Sequence, residues 1–155
     1  ARMFRVTVKI SSAASPPIFA TSWRKRWRMA NSGWRIMDKK LLDFEEMEVW
    51  QDAQDLAVDV YTDFANCRDF SFVDQIKRAV VSISNNVAEG SERTTSVEFA
   101  RFLDIAKGSS GEVRSMYRLA ERLKFIEDAA VTSRVGQCKS ISKQLGGFAK
   151  YLRKK

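Results

Sequence analysis

Hydrophobic residues recur every three or four positions from Phe44 to Leu152, the spacing that places them along one side of an α-helix. This spacing predicts four helices, over residues 44–66, 71–89, 95–124 and 128–152. No segment alternates apolar and polar residues as a half-buried strand does. Because the connections are short, successive helices are expected to be antiparallel neighbours. The pattern therefore predicts an all-α domain over residues 44–155, an antiparallel up-down-up-down four-helix bundle.

Polar and small residues mark the expected ends of the second and third helices. Ser71, followed by Asp74 three positions later, is typical of a helix start. Gly90 is placed to end the second helix, since glycine commonly follows the last helical turn. Thr95 and Glu98 form the sequence signature of a capping box, which predicts the start of the third helix.

Two glycines, Gly108 and Gly111, lie inside the third predicted helix among other small residues. In a helix interior each glycine costs about 1 kcal/mol relative to alanine. We therefore expect another helix to approach closely at these positions. The alternative is a kink or a break in the third helix there.

The second predicted helix contains many serines and asparagines, which favour helix ends over helix interiors. Several border its apolar side, where they can hydrogen-bond to the third helix. An active site or a nucleic-acid surface would be the alternatives to such a polar contact. We favour the contact, which would set how the helices pair, because no histidine is available to activate Ser82 or Ser84. The expected polar packing motif consists of Gln75, Arg78, Ser82, Asn86, Glu89 and Gly90.

The net charge of +8 is confined to the first part of the chain. Residues 1–43 contain ten lysines or arginines and two aspartates, whereas the remainder has 17 basic and 17 acidic residues. Within that neutral remainder, residues 44–76 have nine acids and one base, and residues 77–155 have eight acids and sixteen bases. This polarity favours electrostatic pairing within or between subunits as readily as nucleic-acid binding.

Basic residues of the third and fourth helices are candidates for contacts with RNA phosphates. Each of them can equally be a solvated charge or part of an ion pair with an acid one turn away. RNA affinity that falls steeply with added salt would favour the phosphate contacts. The candidates are Arg101, Lys107, Arg114, Arg118, Arg122, Lys139, Lys143 and Lys150.

Few residues suited to catalysis or metal binding are present. Histidine, the commonest general base and metal ligand, is absent. Cys67 and Cys138 stand far apart without a C-x-x-C motif, and we expect them to be small buried residues in a reducing cytosol. We predict no catalytic residue, no cofactor, no metal site and no membrane helix, and a cytoplasmic location.

Residues 1–43 are expected to form a basic, irregular N-terminal arm that contains both prolines. Trp23, Trp27 and Trp34 alternate with arginines and lysines, a pattern suited to stacking on bases and binding phosphates. The alternatives are a disordered tail, or upstream sequence that precedes a true start at one of the later methionines. The arginine and serine content also resembles that of a transit peptide.

Three stretches of the chain form a specific pattern: VWQ at residues 49–51, NVAEG at 86–90 and EFARFLDIAKGS at 98–109. With it, residues 44–153 resemble the bacterial four-helix bundle family of 23S rRNA intervening-sequence proteins. A larger residue than Gly111 is expected in that family's pattern. The family is also similar to the accessory variability determinants of diversity-generating retroelements, which are pentamers that bind nucleic acid and a reverse transcriptase.

The resemblance implies a four-helix bundle that assembles with copies of itself as a homopentamer and has no enzymatic activity. We therefore expect a non-enzymatic oligomer associated with RNA, ribosomal RNA included. The alternative is a scaffold or accessory subunit that binds another protein and makes no direct contact with nucleic acid.

Overall fold

The computed structural model describes residues 43–154, which form a short 3-10 turn and four α-helices with no strand among them. The turn covers Phe44–Glu46, and the helices are α1 (Glu48–Asp63), α2 (Phe70–Ser91), α3 (Ser96–Leu123) and α4 (Asp128–Leu152). The predicted arm, apart from its last residue, lies outside the described residues. The all-α prediction for the remainder is confirmed.

Each helix packs against its neighbours in sequence, and α1 also packs against α4, so the four helices close into a bundle. Around the bundle the order is α1, α2, α3 and α4, which places α1 diagonally opposite α3. Their apolar sides fill the core, where Phe64, Phe99 and Tyr117 are the largest fully buried side chains. Leu123, which the spacing assigns to the core, is instead 48% exposed at the end of α3.

The start of α2 differs from the prediction by one residue and by its cap. Asp69, not Ser71, caps the helix, because its carboxylate accepts a hydrogen bond from the Phe72 amide at 3.0 Å. An aspartate in this position satisfies a backbone donor that the first turn of a helix leaves free.

Gly90 does not end α2, as the sequence pattern predicted, but lies inside its last turn without a positive φ. A Cβ added to Gly90 would stand 2.6 Å from Phe99 Cδ2 and 2.8 Å from Phe102 Cβ. Both distances are far below van der Waals contact. Glycine is therefore required here so that the first turns of α3 can pack closely against the end of α2.

The start of α3 follows the prediction, since Thr95 Oγ1 accepts a hydrogen bond from the Glu98 amide at 3.2 Å. The helix continues through Gly108 and Gly111 without a break. A Cβ added to either glycine would meet no atom within 4 Å among the described residues. The close approach predicted at these two positions is therefore wrong within a single chain.

Candidate nucleic-acid interface

The outward side of α4 is basic and lacks acidic residues. No aspartate or glutamate occurs between Ala129 and Lys154. Lys139, Lys143 and Lys150 are exposed and fall on one side of the helix, because they are four and seven positions apart. Within the described part of the chain, none of these three lysines takes part in an ion pair. Their charges are therefore turned to solvent.

The register of α3 against α4 is set by contacts spread along both helices. Near the middle, Ser110 Oγ donates to the Cys138 carbonyl at 3.0 Å and accepts from Ser142 Oγ at 3.1 Å. Closer to the end of α4, Lys107 Nζ would lie 3.3 Å from a Cβ placed on Gly146. These contacts place the basic edge of α3 beside the lysines of α4.

Four basic residues follow this edge of α3 at spacings of seven and four, which keeps them on one side of the helix. Arg114 lies close enough to Cys138 to act on its thiol electrostatically. Arg118 pairs with Glu121 of the same helix at 3.0 Å. Together the two helices present what we call the basic face, made of Lys107, Arg114, Arg118, Arg122, Lys139, Lys143 and Lys150.

Arg101, the remaining candidate for phosphate contact, lies apart from the basic face. It is six positions from Lys107 on α3, which turns it by about 120° away from that edge. Its exposed neighbours along the same side of α3 are Val97, Gly108, Glu112 and Leu119, and none of them is basic. The fold thus brings seven of the eight candidates together and separates Arg101 from them.

Part of the polar packing motif joins α2 to α3. Ser82 Oγ lies 2.9 Å from Ser109 Oγ, and Asn86 Nδ2 donates to the Ser82 carbonyl at 2.7 Å and to its hydroxyl at 3.0 Å. About two turns earlier on α2, Gln75 Nε2 donates to Glu112 Oε1 of α3. Asn86 therefore holds the Ser82 hydroxyl in place for its contact with the facing helix.

Two charged members of the motif do not reach α3. Arg78 pairs with Asp74 at 2.7 Å within α2, and Glu89 of α2 pairs with Arg93, which lies just past the end of that helix. The Arg93 guanidinium also lies over the Phe102 ring, 4.7 Å from its centroid. Their charged groups pair locally, and the members of the motif that hydrogen-bond to α3 are Gln75 and Ser82.

A second polar contact, between α1 and α4, was not predicted. Asp63 accepts hydrogen bonds from Tyr117 Oη at 2.8 Å and from Arg134 Nε at 2.8 Å. Arg134 Nη1 also pairs with Asp59 at 2.9 Å, and Gln137 Nε2 donates to that same carboxylate at 3.0 Å. The spacing of the aspartates on α1 was a usable signal, because residues four and seven positions apart share one side of a helix.

The surroundings of these groups shift their pKa values. Burial, helped by the hydrogen bond to Asp63, raises the pKa of Tyr117 far above its usual 10.0. The hydrogen bond to Asp63 raises the pKa of Arg134. Burial raises the pKa of the Cys138 thiol from 9.0 to about 11, which Arg114 partly offsets. Tyr117 and Cys138 are therefore neutral and Arg134 is charged at neutral pH.

The described residues hold neither a metal-binding cluster nor a membrane-spanning helix. No group of three or more histidines, cysteines, aspartates or glutamates stands close enough together to hold a metal ion among residues 43–154. None of the helices described is both long and apolar enough to cross a membrane. Cys138 is buried and Cys67 half-buried, and both are free thiols.

Comparisons with known proteins agree with this architecture. The search of curated proteins found no match. A solved structure of a protein with unknown function from the S23 ribosomal protein family of Bacteroides thetaiotaomicron VPI-5482 superposes with a TM-score of 0.62 at 24% identity. That likeness covers 66% of this chain and 98% of the other, and it shows a shared fold. Residues 45–147 match the family described as 23S rRNA-intervening sequence protein, and the chain therefore belongs to that family.

Proposed function

We propose that this chain is a non-enzymatic RNA-binding protein whose basic face contacts RNA phosphates. The observation that carries the proposal is the composition of the outward side of α4, where three lysines are exposed and no acid lies between residues 129 and 154. Arg134 and Arg153 of the same helix are paired with aspartates of α1 and α3. The three lysines are the charges that α4 leaves for an external anion.

The form of the basic face suits a nucleic-acid backbone better than a small anion. From Lys139 to Lys150 the charges extend over about 16 Å along α4. The neighbouring edge of α3 adds a second row at about 8–10 Å, the usual distance between packed helices. Lysines and arginines spread in this way neutralise several phosphates and release counterions without reading base edges. The name of the family, which refers to 23S rRNA, supports RNA as the partner.

The same proposal includes assembly of the protein with copies of itself, in the ring of five that the family resemblance implies. Large apolar side chains exposed on α3, among them Ile105 and Leu119, support an association of this kind. A ring would also repeat the basic face around its circumference. Multiple weak phosphate contacts would then act together on one RNA molecule.

The test is salt-dependent binding of the full chain to a mixed-sequence RNA hairpin. Replacing Lys139, Lys143 and Lys150 together by glutamine should weaken binding and lower the slope of log affinity against log salt by about 2, since each lost phosphate contact removes about 0.7–0.9. The substituted residues are exposed and unpaired, so the far-ultraviolet circular dichroism should not change. Loss of helix signal would assign the effect to folding.

A matched control changes the same number of charges elsewhere on the bundle. Arg68 lies in the connection between α1 and α2, and Lys77 and Arg78 lie on α2, away from the basic face. Their triple glutamine variant should bind the hairpin with nearly the salt slope of the unchanged protein. Equal losses in both triple variants would contradict a localised interface and would indicate only nonspecific attraction.

A second candidate function is a scaffold that binds another protein and has no RNA affinity. The exposed Ile105, Leu119 and Leu123 of α3 favour it, because large exposed apolar side chains are typical of surfaces that contact other proteins. If the hairpin fails to bind even at low salt, the RNA-binding proposal is wrong and the scaffold is the better description.

A further inference from the structure

The surface around the basic face has no exposed aromatic side chain. In the described part of the chain the exposed aromatic residues are Tyr61 and Phe70, which belong to α1 and to the first position of α2. On α4 the half-buried Phe148 and Tyr151 are turned by about 100° or more from Lys150, because successive residues of a helix are about 100° apart. The basic face therefore offers positive charge without an aromatic surface on which a base could stack.

Small side chains separate the lysines on the outward side of α4. The uncharged residues exposed between positions 132 and 150 are no larger than threonine, and they are Thr132, Ser133, Gly136, Ser140 and Gly147. A Cβ added to Gly136 or Gly147 would meet no atom within 4 Å in the described chain. A phosphate backbone can therefore approach α4 closely between its lysines.

Two acids that border the basic face are paired with arginines. Asp104 of α3 pairs with Arg153 of α4, and Glu121 pairs with Arg118 at 3.0 Å. Asp128 lies in the first turn of α4, about 16 Å along the helix axis from the first of the three lysines. The part of the face formed by those lysines thus keeps its positive charge.

These features suit a duplex better than a single strand. Proteins that bind single strands stack the bases on aromatic side chains in addition to contacting the phosphates. A duplex keeps its bases stacked inside and is recognised mostly by its shape and its backbone. The narrow major groove of A-form RNA brings the phosphates of the two strands close together. The basic residues of α4 and of α3 form two rows about 8–10 Å apart, so each row can meet one strand.

We propose that the basic face binds double-stranded RNA, with the lysines of α4 on the phosphates of one strand and the basic edge of α3 on those of the other. Each helix is about 10–12 Å across, so the packed pair is too broad to enter a groove and contacts the backbone from outside. Binding is then independent of base sequence. This inference rests on the proposed function, since it names the form of RNA that the same residues contact.

The first experiment compares the affinity of the full chain for three probes at the same salt concentration. The probes are a blunt-ended RNA duplex, one of its strands alone, and a DNA duplex of the same sequence. The RNA duplex should bind about tenfold more tightly than the single strand, because each phosphate contact contributes more to the salt slope with a duplex, about 0.9 against about 0.7.

The DNA duplex should bind more weakly than the RNA duplex. Its major groove is about 12 Å wide, which holds the two rows of phosphates farther apart than the narrow groove of A-form RNA does. Equal affinity for the RNA duplex and the single strand would overturn the preference for a duplex. Equal affinity for the two duplexes would overturn the assignment to RNA.

Substitution of Ser140 separates close approach of the backbone from attraction by charge alone. Ser140→Leu adds bulk beside Lys139 and Lys143 without changing the charge, and it should weaken binding of the RNA duplex but not of the single strand. Ser140→Trp should weaken duplex binding as well, and should raise the affinity for the single strand about fivefold, the factor expected from one stacked base. Ser140→Ala is the matched control and should bind the duplex as the unchanged protein does.

Folding of these variants is checked by far-ultraviolet circular dichroism, which should not change because Ser140 is exposed. If Ser140→Leu lost helix signal, Gly136→Leu would give the same test one turn earlier, at a position where a side chain meets no described atom.

The outcomes separate this inference from the proposed function. A protein that binds neither the duplex nor the single strand at low salt would overturn both. A protein that binds RNA, and whose folded Ser140→Leu variant keeps the full affinity for the duplex, would overturn close approach of a duplex to α4 and leave the proposed function standing.

Discussion

The two sides of α4 carry the same kind of charge in different surroundings. On the side that faces α1, Arg134 is largely buried and contacts two aspartates. On the outward side, Lys139 and Lys143 are exposed and have no acidic neighbour on their own helix. Residue type therefore does not decide the role of a cation in this bundle. Its role depends on whether the adjacent helix places carboxylates opposite it.

The comparison also separates stability from binding. A buried cation is costly unless its partners stay in place, so the side of α4 facing α1 should be sensitive to loss of a single carboxylate. An exposed lysine has little effect on folding. Substitutions on the two sides of α4 should therefore act on different properties of the protein.

Removal of Asp63 should have the largest effect. Asp63→Ala leaves the Arg134 guanidinium without its bidentate partner and the Tyr117 hydroxyl without its acceptor. The side chains of Asp63 and Arg134 are only 11% and 19% exposed, so we expect the free energy of unfolding to fall by about 3 kcal/mol. Urea denaturation followed by circular dichroism measures it.

The control is an exposed ion pair on α2. Asp74 and Arg78 have side chains that are 63% and 69% exposed, and Asp74→Ala should lower the free energy of unfolding by less than about 1 kcal/mol. Similar losses of unfolding free energy for Asp63→Ala and Asp74→Ala would mean that the contact between α1 and α4 stabilises the protein no more than an exposed ion pair does.

Alkaline pH should destabilise the buried side of α4 through Cys138. Its pKa is raised to about 11 in the folded protein, whereas the unfolded thiol ionises near 9.0. The stabilising contribution is complete below pH 9 and is lost as pH rises towards 11, because the unfolded chain releases its proton first. Between pH 8 and pH 10 the loss should be about 1 kcal/mol.

Cys138→Ala isolates this contribution. The variant should lose less unfolding free energy than the unchanged protein over the same pH interval. A smaller loss should remain near pH 10, because the unfolded Tyr117 phenol begins to ionise there while the folded one, whose pKa is also raised, stays neutral. Parallel pH profiles for the two proteins would show that ionisation of the thiol is not coupled to folding.

The smallest expected effect lies on the outward side of α4 and has the opposite sign. Gly147 is exposed in mid-helix, and a Cβ there would meet no atom within 4 Å of the described chain. Gly147→Ala should therefore raise the free energy of unfolding by about 0.5–1 kcal/mol through helix propensity. Gly90→Ala, which would collide with Phe99, should lower it. If Gly147→Ala lowered the free energy of unfolding, the outward side of α4 would already be in contact with another group in solution.

The helices and the core were largely predictable, because apolar spacing is a local property of the chain. The spacing locates α4 at residues 128–152, and Thr95 with Glu98 marks the start of α3. The ends of α2 were less predictable. Asp69 and Ser71 are both good capping residues, and only the folded backbone decides which of them meets a free amide.

The glycines show why the remainder was not predictable. A glycine inside a helix suggests that a neighbouring group needs the space that a side chain would fill. The sequence does not identify that group. Gly90 makes room for Phe99 of the next helix, whereas Gly108 faces outward with no atom near it in the described chain. The two glycines differ in the side of the helix on which they lie. Gly90 lies on the side of α2 that meets α3, and Gly108 lies on the outward side of α3.

The sequence alone determined that residues after Phe44 form amphipathic helices, and that beyond residue 43 an acidic stretch precedes a basic one. It also contained the family pattern. Only the tertiary structure decided that Asp63 would meet Arg134, and that the lysines of α4 would pair with no acid among residues 43–154. The physical reason is that charge pairing depends on the rotation and register of one helix against another, which are set by packing across the core and not by spacing within a helix.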